Sequence, residues 1–306
     1  MQLSRRELLK VGIGVGASIF PPSPSLLAQA VPLIQRRIPS TGESLPIIGI
    51  GTARRYAAVP REVERAPLRE VLRRFKEMGG KVVDTAPSYG TAEMVVGDLV
   101  AELTIRDSLF LATKVGARGR TAGIEQLEQS FKHLRTPTID LIAVHNLQDT
   151  QTQLRTLREW KQAGRVRYVG ITTSFEPQYP EFEQTMKAET LDFIQVDYAL
   201  DNRKADQRIL PLAADRGMAV MINLPFGRGR LFRAVQGQKL PPWASEFGCS
   251  SWAQFFLKYI VSHPAVTCAV PGTAKVEYLV DNLGAARGRL PDAAMRRRME
   301  SFIDAL

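Results

Sequence analysis

Three side chains capable of acid–base chemistry lie near the ends of three consecutive apolar segments, and a fourth follows the first of these segments. Asp84 stands near the end of VVDTA, Lys114 near the end of LFLATKV, and His145 near the end of IDLIAVHN. Tyr89 follows Asp84 by five residues. Taken singly, each has an ordinary structural explanation, such as a helix cap or a lysine that reaches solvent. Together, at three adjacent strand ends, they favour one shared site.

These four residue types suit the protonation of a carbonyl oxygen. A phenol has a pKa near ~10, so it is a poor proton donor at neutral pH unless a neighbouring ammonium lowers that pKa. A carboxylate can keep the ammonium charged, and an imidazole can orient the carbonyl by a hydrogen bond. Because no side chain supplies hydride, a nicotinamide or flavin cofactor must do so. The set predicts a reductase of carbonyl compounds.

The positions of these side chains depend on a regular alternation of strands and helices. Eight short apolar segments alternate with amphipathic helical patterns. They are IIGIG (47–51), VVDTA (82–86), LFLATKV (109–115), IDLIAVHN (139–146), YVGITTS (168–174), FIQVDYAL (193–200), AVMINLP (219–225) and CAVPGT (268–273). Eight such units predict an α/β fold, the (β/α)8 TIM barrel, whose catalytic groups lie at the C-terminal strand ends.

Two further elements and one competing fold complete this prediction. A β-hairpin is expected before the first strand and an extra helix at the C-terminus. The alternative, an open doubly wound sheet, would need a glycine-rich turn after its first strand, and IIGIGTARRY provides a poor one. The barrel is therefore the predicted fold of residues 31–306.

The first 30 residues are predicted to be an export signal. The stretch SRRELLK resembles the twin-arginine signal, and an apolar run of about half a membrane-spanning length precedes Ala28-Gln29-Ala30. Cleavage after Ala30, a periplasmic location and the twin-arginine translocation machinery as a partner are the resulting predictions. No stable membrane span is expected in the mature chain.

Composition narrows the classes of ligand. The formal net charge is +10, but the sequence contains no basic stripe interleaved with aromatic residues, so nucleic acid is not a predicted partner. Cys249 and Cys268 have no metal-binding spacing, and no metal site is predicted. The cluster Arg296, Arg297 and Arg298 is expected to be solvated on a terminal helix. The positive excess favours an anionic ligand.

The sequence resembles the aldo-keto reductases over essentially all of residues 31–306. The motif D-x-A-x-x-Y-G followed by E and G stands here as Asp84, Ala86, Tyr89, Gly90, Glu93 and Gly97, and the T-K of strand three as Thr113-Lys114. The D-L…H of strand four is Asp140-Leu141 and His145. The resemblance implies that Tyr89 donates the proton, Lys114 activates it, Asp84 holds Lys114, and His145 orients a small-molecule aldehyde or ketone.

The resemblance also implies NADPH as the cofactor, with NADH as an open alternative. By this similarity Gly51 and Thr52 would contact the cofactor, and its nicotinamide end would meet Thr172, Thr173 and Gln195. Pro225 and Phe226, at the end of the strand-seven motif, would also contact the cofactor. The loop that follows would close over the pyrophosphate with Gly227, Arg228, Gly229, Arg230 and Leu231. The adenosine end would meet Gly272, Thr273, Lys275, Asp281 and Asn282.

Three cofactor positions depart from the family pattern. Thr173 replaces an amide side chain, Asn223 replaces a tyrosine that stacks on nicotinamide, and Tyr278 replaces an arginine common in NADPH enzymes. Gln195 keeps the amide on strand six, and Lys275 supplies a possible charge for the 2′-phosphate.

Two other functions remain open at this point. The first is a Schiff-base aldolase with Lys114 as nucleophile. The second is a non-catalytic NADPH-binding sensor or partner subunit, which the three departures encourage. Export would also separate a reductase from the cytoplasmic NADPH supply, so either tight retention of the cofactor or an unidentified electron donor is predicted.

Overall fold

Eight parallel strands surround one interior in the computed structural model, which describes residues 31–58 and 62–306. The predicted export signal lies on residues 1–30, outside the described residues. The strands are β3 (Ile50–Gly51), β4 (Val82–Asp84), β5 (Phe110–Val115), β6 (Ile139–His145), β7 (Val166–Thr172), β8 (Phe193–Asp197), β9 (Ala219–Asn223) and β10 (Cys268–Ala269). They pair in chain order, each with the next.

The barrel is closed between its first and eighth strands. Parallel bridges join Ile48 to Ala269 and Gly51 to Gly272. A Cβ atom at Gly51 would lie 2.6 Å from the carbonyl oxygen of Val270, so only glycine fits this approach. The prediction of a (β/α)8 TIM barrel is confirmed.

Helices surround the sheet. They are α1 (Glu62–Glu77), α2 (Ala92–Glu102), α3 (Arg120–Leu134), α4 (Thr150–Gln162), α5 (Tyr179–Ala188), α6 (Lys204–Asp215), α7 (Arg230–Ala234), α8 (Trp252–Val261), α9 (Val276–Gly284) and α10 (Ala293–Asp304). The predicted N-terminal hairpin is present as antiparallel β1 (Gln35–Arg37) and β2 (Ser44–Pro46), and α10 is the predicted extra helix.

The barrel interior is apolar at its N-terminal end and polar at its C-terminal end. Side chains alternate along a strand, so inward positions recur every second residue. The rings of Phe110, Tyr168 and Phe193 pack with centroids 5.5 to 5.8 Å apart, and the hairpin residues Ile38 and Leu45 join this cluster. The next inward positions toward the C-terminal ends of the same three strands include Lys114 on β5, Thr172 on β7 and Gln195 on β8. The polar groups therefore share one layer above an apolar floor.

Strand boundaries differ from those expected in the segment CAVPGT. Only Cys268–Ala269 forms a strand, although the apolar pattern extended to residue 273. Pro271 has no N–H to donate to a neighbouring strand, which accounts for the early end.

The expectation for the C-terminal arginine cluster is wrong at one position. Arg297 and Arg298 are exposed, but Arg296 is buried. Its guanidinium donates to the hydroxyl of Tyr198 at 2.7 Å and to the carbonyl of Tyr259, over whose ring it lies at 4.2 Å. Arg296 therefore fastens α10 to the barrel. In the described part of the chain, no helix has the length and apolarity to cross a membrane.

Candidate active site

A buried ion pair between Asp84 and Lys114 lies at the C-terminal ends of β4 and β5. Nζ of Lys114 is 2.7 Å from Oδ1 of Asp84 and 2.8 Å from the carbonyl oxygen of Thr85. Burial disfavours the charged form of Lys114, but the Asp84 carboxylate and Tyr89 outweigh it and leave the pKa of Lys114 raised. The ammonium is therefore held charged, with its donors directed by two fixed acceptors.

The loop after β4 brings Tyr89 to this pair. Nζ of Lys114 lies 5.2 Å from the centroid of the Tyr89 ring. The following residue, Gly90, has a φ of +58°, and a Cβ there would lie 2.2 Å from the carbonyl oxygen of Ala57, so the turn requires glycine. The turn at Gly90 therefore helps to position the phenol of Tyr89.

The acidity of Tyr89 differs from the expectation. Burial raises the pKa of the Tyr89 phenol, and the opposing effect of Lys114 is smaller. The phenol is consequently protonated across the neutral range, and the lysine moderates its acidity without bringing the pKa below its ordinary value. A protonated phenol is the form that can donate a proton.

His145 completes the group at the end of β6. Its ring meets that of Tyr89 edge-on, with centroids 6.0 Å apart and an interplanar angle of 83°. Burial, and secondarily the charge of Lys114, lower the pKa of His145 to about 4. The imidazole is therefore neutral at pH 7 and can donate one N–H to an acceptor. The structure brings Asp84, Tyr89, Lys114 and His145 together.

Gln195, which is predicted to contact the cofactor, donates a hydrogen bond to Asp84. Its Nε2 donates to Oδ1 of Asp84 at 3.0 Å, and its Oε1 accepts a hydrogen bond from Oγ1 of Thr172 at 2.9 Å. Thr172 and Gln195 are register partners on β7 and β8. Both side chains are buried. The predicted nicotinamide residues thus form part of a hydrogen-bonded layer across the barrel.

Other predicted cofactor residues form hydrogen bonds at the same end of the barrel. Thr52 donates from both its N–H and its Oγ1 to the carbonyl oxygen of Asp84, at 3.1 and 3.0 Å. Thr173 donates from Oγ1 to Oε1 of Gln178 at 2.7 Å, and its carbonyl oxygen accepts from Nδ2 of Asn223 at 3.2 Å. Oδ1 of Asn223 is buried and has no partner among the described residues.

The predicted pyrophosphate loop follows β9 in an unusual backbone conformation. Leu224, Gly227, Arg228 and Gly229 all have positive φ, between +49° and +88°. Arg228 borders a cleft of about 90 Å³ whose other lining includes Ser174, Asp197, Asn202 and Arg230. The flanking Phe226 packs on Phe232, and Leu231 is buried. Pro225 is buried. The loop is anchored by apolar side chains and presents basic ones.

The predicted adenosine residues divide into buried and exposed members. Asn282 is buried and donates to Oγ1 of Thr273 at 3.0 Å, while both oxygens of Asp281 accept from Ser251 at 2.8 Å. Lys275 is exposed and lies 5.4 Å from the ring centroid of Tyr278. Gly272 forms the barrel-closing bridge. Asp281 and Asn282 therefore organise the segment, while Lys275 lies at the surface with its Nζ 3.6 Å from Oε1 of Glu277.

Three acidic or amide residues were not identified from the sequence: Asp197 and Asn202, which line the cleft, and Asp201, which pairs with the cleft residue Arg230. Asp201 accepts a hydrogen bond from Nε of Arg230 at 2.9 Å. Asp197 ends β8 and accepts from Asn202 at 2.7 Å, and burial raises the pKa of its carboxyl group. The signal for Asp197 was present, because it terminates the apolar run FIQVD as Asp84 terminates VVD.

Metal ligation has no support in the described residues. Within residues 31–58 and 62–306, no three His, Cys, Asp or Glu side chains form a metal-binding group. Cys249 and Cys268 are free thiols and are buried like small apolar residues. Burial raises the pKa of both thiols.

Comparison with known proteins gives one family and several relatives. The pattern described as the aldo/keto reductase family matches residues 47–302. Aldo-keto reductase YhdN of Bacillus subtilis (strain 168) is 28% identical over 209 residues, covering 63% of this chain and 62% of YhdN. The match thus spans less than two thirds of that relative. The uncharacterized oxidoreductase YqkF of the same organism is 26% identical over 253 residues, covering 70% of this chain and 80% of YqkF.

A solved structure supports the fold. The aldo-keto reductase from Klebsiella pneumoniae in complex with NADPH superposes with a TM-score of 0.74 at 23% identity. The superposition covers 89% of this chain and 95% of the Klebsiella protein.

Proposed function

The chain belongs to the aldo/keto reductase family, and we propose that it reduces carbonyl groups of small molecules with NADPH, with Tyr89 as proton donor. The observation that carries the proposal is the buried Asp84–Lys114 pair beside a protonated phenol and a neutral imidazole. These groups lie at the C-terminal strand ends, where barrel enzymes carry their chemistry.

Each of the four residues has one task in the proposed reaction. His145, neutral at pH 7, donates an N–H to the carbonyl oxygen and orients it. Tyr89 then transfers its phenolic proton to that oxygen. Lys114 stabilises the resulting phenolate by its charge, and Asp84 keeps Lys114 charged and in place. Tyr89 regains its proton from solvent after the alcohol leaves.

The residues around this group fit a nicotinamide nucleotide. When bound, NADPH supplies the hydride for the carbonyl carbon. The buried, unpartnered Oδ1 of Asn223 would accept from the carboxamide, a role that offsets the loss of an amide at Thr173. Arg228 would meet the pyrophosphate, because an exposed guanidinium on a loop of left-handed residues suits an anion. Lys275 and Thr273 would meet the 2′-phosphate.

The neighbouring structure of the Klebsiella pneumoniae reductase in complex with NADPH supports this choice of cofactor. The preference for NADPH over NADH depends on Lys275, since Tyr278 replaces the expected arginine. Titration of the protein's fluorescence with each nucleotide tests the preference. Binding of NADH as tight as that of NADPH would contradict it.

The proposed activity is tested by turnover of a panel of aldehydes, ketones and quinones with NADPH. We expect oxidation of NADPH that depends on the carbonyl and is lost in Tyr89→Phe. Tight NADPH binding without any turnover would instead support the sensor or partner-subunit function.

The aldolase alternative is disfavoured by the state of Lys114. A Schiff base requires a neutral amine, whereas Asp84 and Tyr89 raise the pKa of this lysine despite its burial. Borohydride trapping provides the test: we expect no carbonyl compound covalently attached to Lys114 after reduction.

We also propose that residues 1–30 export the folded protein to the periplasm by the twin-arginine route, with cleavage after Ala30. The stretch SRRELLK supports this proposal. Expression with Arg5→Lys and Arg6→Lys should keep the protein in the cytoplasm, while the unaltered leader should yield periplasmic protein that begins at Val31. Periplasmic protein from both would contradict the route.

Exported protein of this kind would need a way to keep its cofactor. We propose that NADPH is retained tightly during export, because the twin-arginine route carries folded proteins. Purification of the exported protein should yield bound nucleotide in near-stoichiometric amount. Nucleotide-free exported protein would point to another electron donor.

A further inference from the structure

We propose that Asp197 belongs to the nucleotide site, where its carboxylate takes up a proton as the pyrophosphate binds and then donates a hydrogen bond to a phosphate oxygen. This inference rests on the proposed NADPH-dependent function, since it needs the pyrophosphate in the cleft beside Arg228. Asp197 was not among the residues that the sequence assigned to the cofactor. Its place in the cleft, its burial and its uncharged partners lead to the assignment.

Asp197 lies in the cleft that the predicted pyrophosphate loop borders. It is the last residue of β8, and its register partner on β9 is Asn223, which stands just before that loop. The cleft has Arg228 and Arg230 in its lining, and among the described residues that line it Asp197 is the one acid. A pyrophosphate drawn to these guanidinium groups would bring its negative charge beside the carboxyl group.

The carboxyl group of Asp197 is buried and has only uncharged donors. The residue is 7% exposed. Oδ1 accepts from the hydroxyl of Tyr179 at 3.0 Å, and Oδ2 accepts from Nδ2 of Asn202 at 2.7 Å. Because burial disfavours a charge that no cation balances, the pKa of Asp197 is raised. The group therefore accepts a proton more readily than an exposed aspartate does.

The charged groups around Asp197 do not compensate its charge. Arg230 is engaged by Asp201, with Nε 2.9 Å from Oδ2. Glu176, which lies between β7 and α5, pairs with Lys204 at 2.5 Å, and its negative charge helps to raise the pKa of Asp197. Within residues 31–58 and 62–306, no cation forms an ion pair with Asp197. The two neighbouring acids are thus paired, and Asp197 is not.

Pyrophosphate makes the charged form of Asp197 still less favourable. Like charges repel at close range in a site that holds little water, so the carboxylate takes a proton from solvent as the nucleotide enters. The new O–H bond gives Asp197 a donor for a phosphate oxygen. Arg228 supplies the opposite charge, and the proton returns to solvent when the nucleotide leaves. Because one proton binds with the nucleotide, the NADPH Kd should rise with pH.

The first test measures the protons taken up with the nucleotide. NADPH is titrated calorimetrically into the protein between about pH 6 and about pH 8 in phosphate and in Tris, whose ionisation enthalpies differ. We expect the unaltered protein to take up more protons per NADPH than Asp197→Asn, and its Kd to rise more steeply, by up to about tenfold per pH unit. The 2′-phosphate titrates near pH ~6 in both proteins, so its contribution cancels. Equal proton uptake would overturn the proposal.

A matched control removes the same charge outside the cleft. Asp215 is an exposed aspartate at the end of α6. We expect Asp215→Asn to match the unaltered protein in proton uptake and in the pH dependence of the Kd. If it flattens that dependence as much as Asp197→Asn does, the overall charge of the protein explains the effect and the proposal is overturned.

A second variant keeps Asp197 and changes its titration. The hydroxyl of Tyr179 favours the charged carboxyl group, so Tyr179→Phe should raise the pKa of Asp197. Carbon-13 NMR of the aspartate carboxyl groups measures this midpoint, and the signal that moves in Tyr179→Phe identifies Asp197. We expect a midpoint above the ordinary value of ~3.9 in the protein without nucleotide and a further rise when NADPH is added. A midpoint that NADPH leaves unchanged would overturn the proposal, even if Asp197→Asn does not fold.

The same measurements separate this inference from the reductase function. If the protein binds NADPH but reduces no carbonyl, the proposed function fails, while the proton uptake still decides the role of Asp197. If it reduces carbonyls and Asp197→Asn takes up as many protons as the unaltered protein, only the role of Asp197 fails. No binding of NADPH at any pH would overturn both.

Discussion

Lys114 lies 2.7 Å from Asp84 in an ion pair whose side chains are 2% and 8% exposed. A pair so deeply buried loses the hydration of both charges, and their attraction offsets this loss only while the two remain together. The pair is thus poorly suited to stability alone and well suited to holding a cation at a fixed point. Tyr89 and His145 lie beside that point.

The first prediction concerns the stability of this pair. Asp84→Leu should lower the free energy of unfolding by about 3–5 kcal/mol, because it leaves the Lys114 ammonium buried without its carboxylate. The added change Lys114→Met should recover a large part of the loss. Urea unfolding monitored by circular dichroism measures both effects. A double variant less stable than the single one would contradict the account.

The second prediction concerns the protonation of His145. Because burial lowers its pKa to about 4, its imidazole resonances should not titrate between pH 5 and 8 in NMR spectra of the protein. The sequence has three histidines, so His145→Gln assigns the signal. A midpoint near the ordinary value of ~6.5 would contradict the buried, neutral state.

The lowered pKa of His145 also makes the stability of the protein depend on pH. An unfolded histidine takes up its proton near pH ~6.5, whereas the folded His145 does so only at about 4. The contribution of this group to folding is therefore fully present above pH ~6.5 and is lost as the pH falls toward 4. Against His145→Gln, the unaltered protein should lose stability more steeply over this window. Parallel curves would show that His145 is not shifted.

The third prediction concerns the loop after β9. Arg228→Met should raise the NADPH Kd about tenfold and weaken the dependence of binding on salt, because one charge contact to phosphate is lost. Arg233→Met, at an exposed arginine of α7, is the control and should leave the Kd within about twofold. Equal effects from the two variants would indicate general electrostatic attraction by the basic surface.

The fourth prediction compares adjacent arginines of α10. Arg296→Ala should cost about 3 kcal/mol of unfolding free energy, because the buried hydroxyl of Tyr198 and carbonyl of Tyr259 lose their charged donor. Arg297→Ala should cost less than about 0.5 kcal/mol, since that side chain is exposed. Chemical denaturation distinguishes the two, and similar costs would contradict the packing described for Arg296.

These arginines also mark the limit of what the sequence could predict. The barrel followed from the alternation of apolar segments, and the clustering of Asp84, Lys114 and His145 followed from their positions at strand ends. Identical neighbours such as Arg296 and Arg297 differ only in which side of a helix they occupy. Likewise, Gln195 and Asp84 are 111 residues apart in the sequence but form a hydrogen bond inside the closed barrel. Which residues meet there depends on the stagger of the strands, which the sequence pattern does not give.

The acidity of Tyr89 required the structure for a similar reason. The sequence indicated a lysine that would lower the pKa of the phenol, but it could not weigh that charge against burial. In the folded chain burial has the larger effect, and the pKa of the phenol is raised. The predicted cofactor residues Asp281 and Asn282 were chosen by similarity, and their contacts with Ser251 and Thr273 organise the adjoining segments.

The central claim, that Tyr89 protonates a carbonyl oxygen in an NADPH-dependent reduction, is tested most directly in a single turnover. Protein preloaded with one equivalent of NADPH is mixed with a carbonyl compound, and the loss of absorbance at the reduced nicotinamide is followed. The account predicts oxidation that slows by at least a hundredfold in Tyr89→Phe, while the NADPH Kd is unchanged. Oxidation at the same rate in Tyr89→Phe would contradict it.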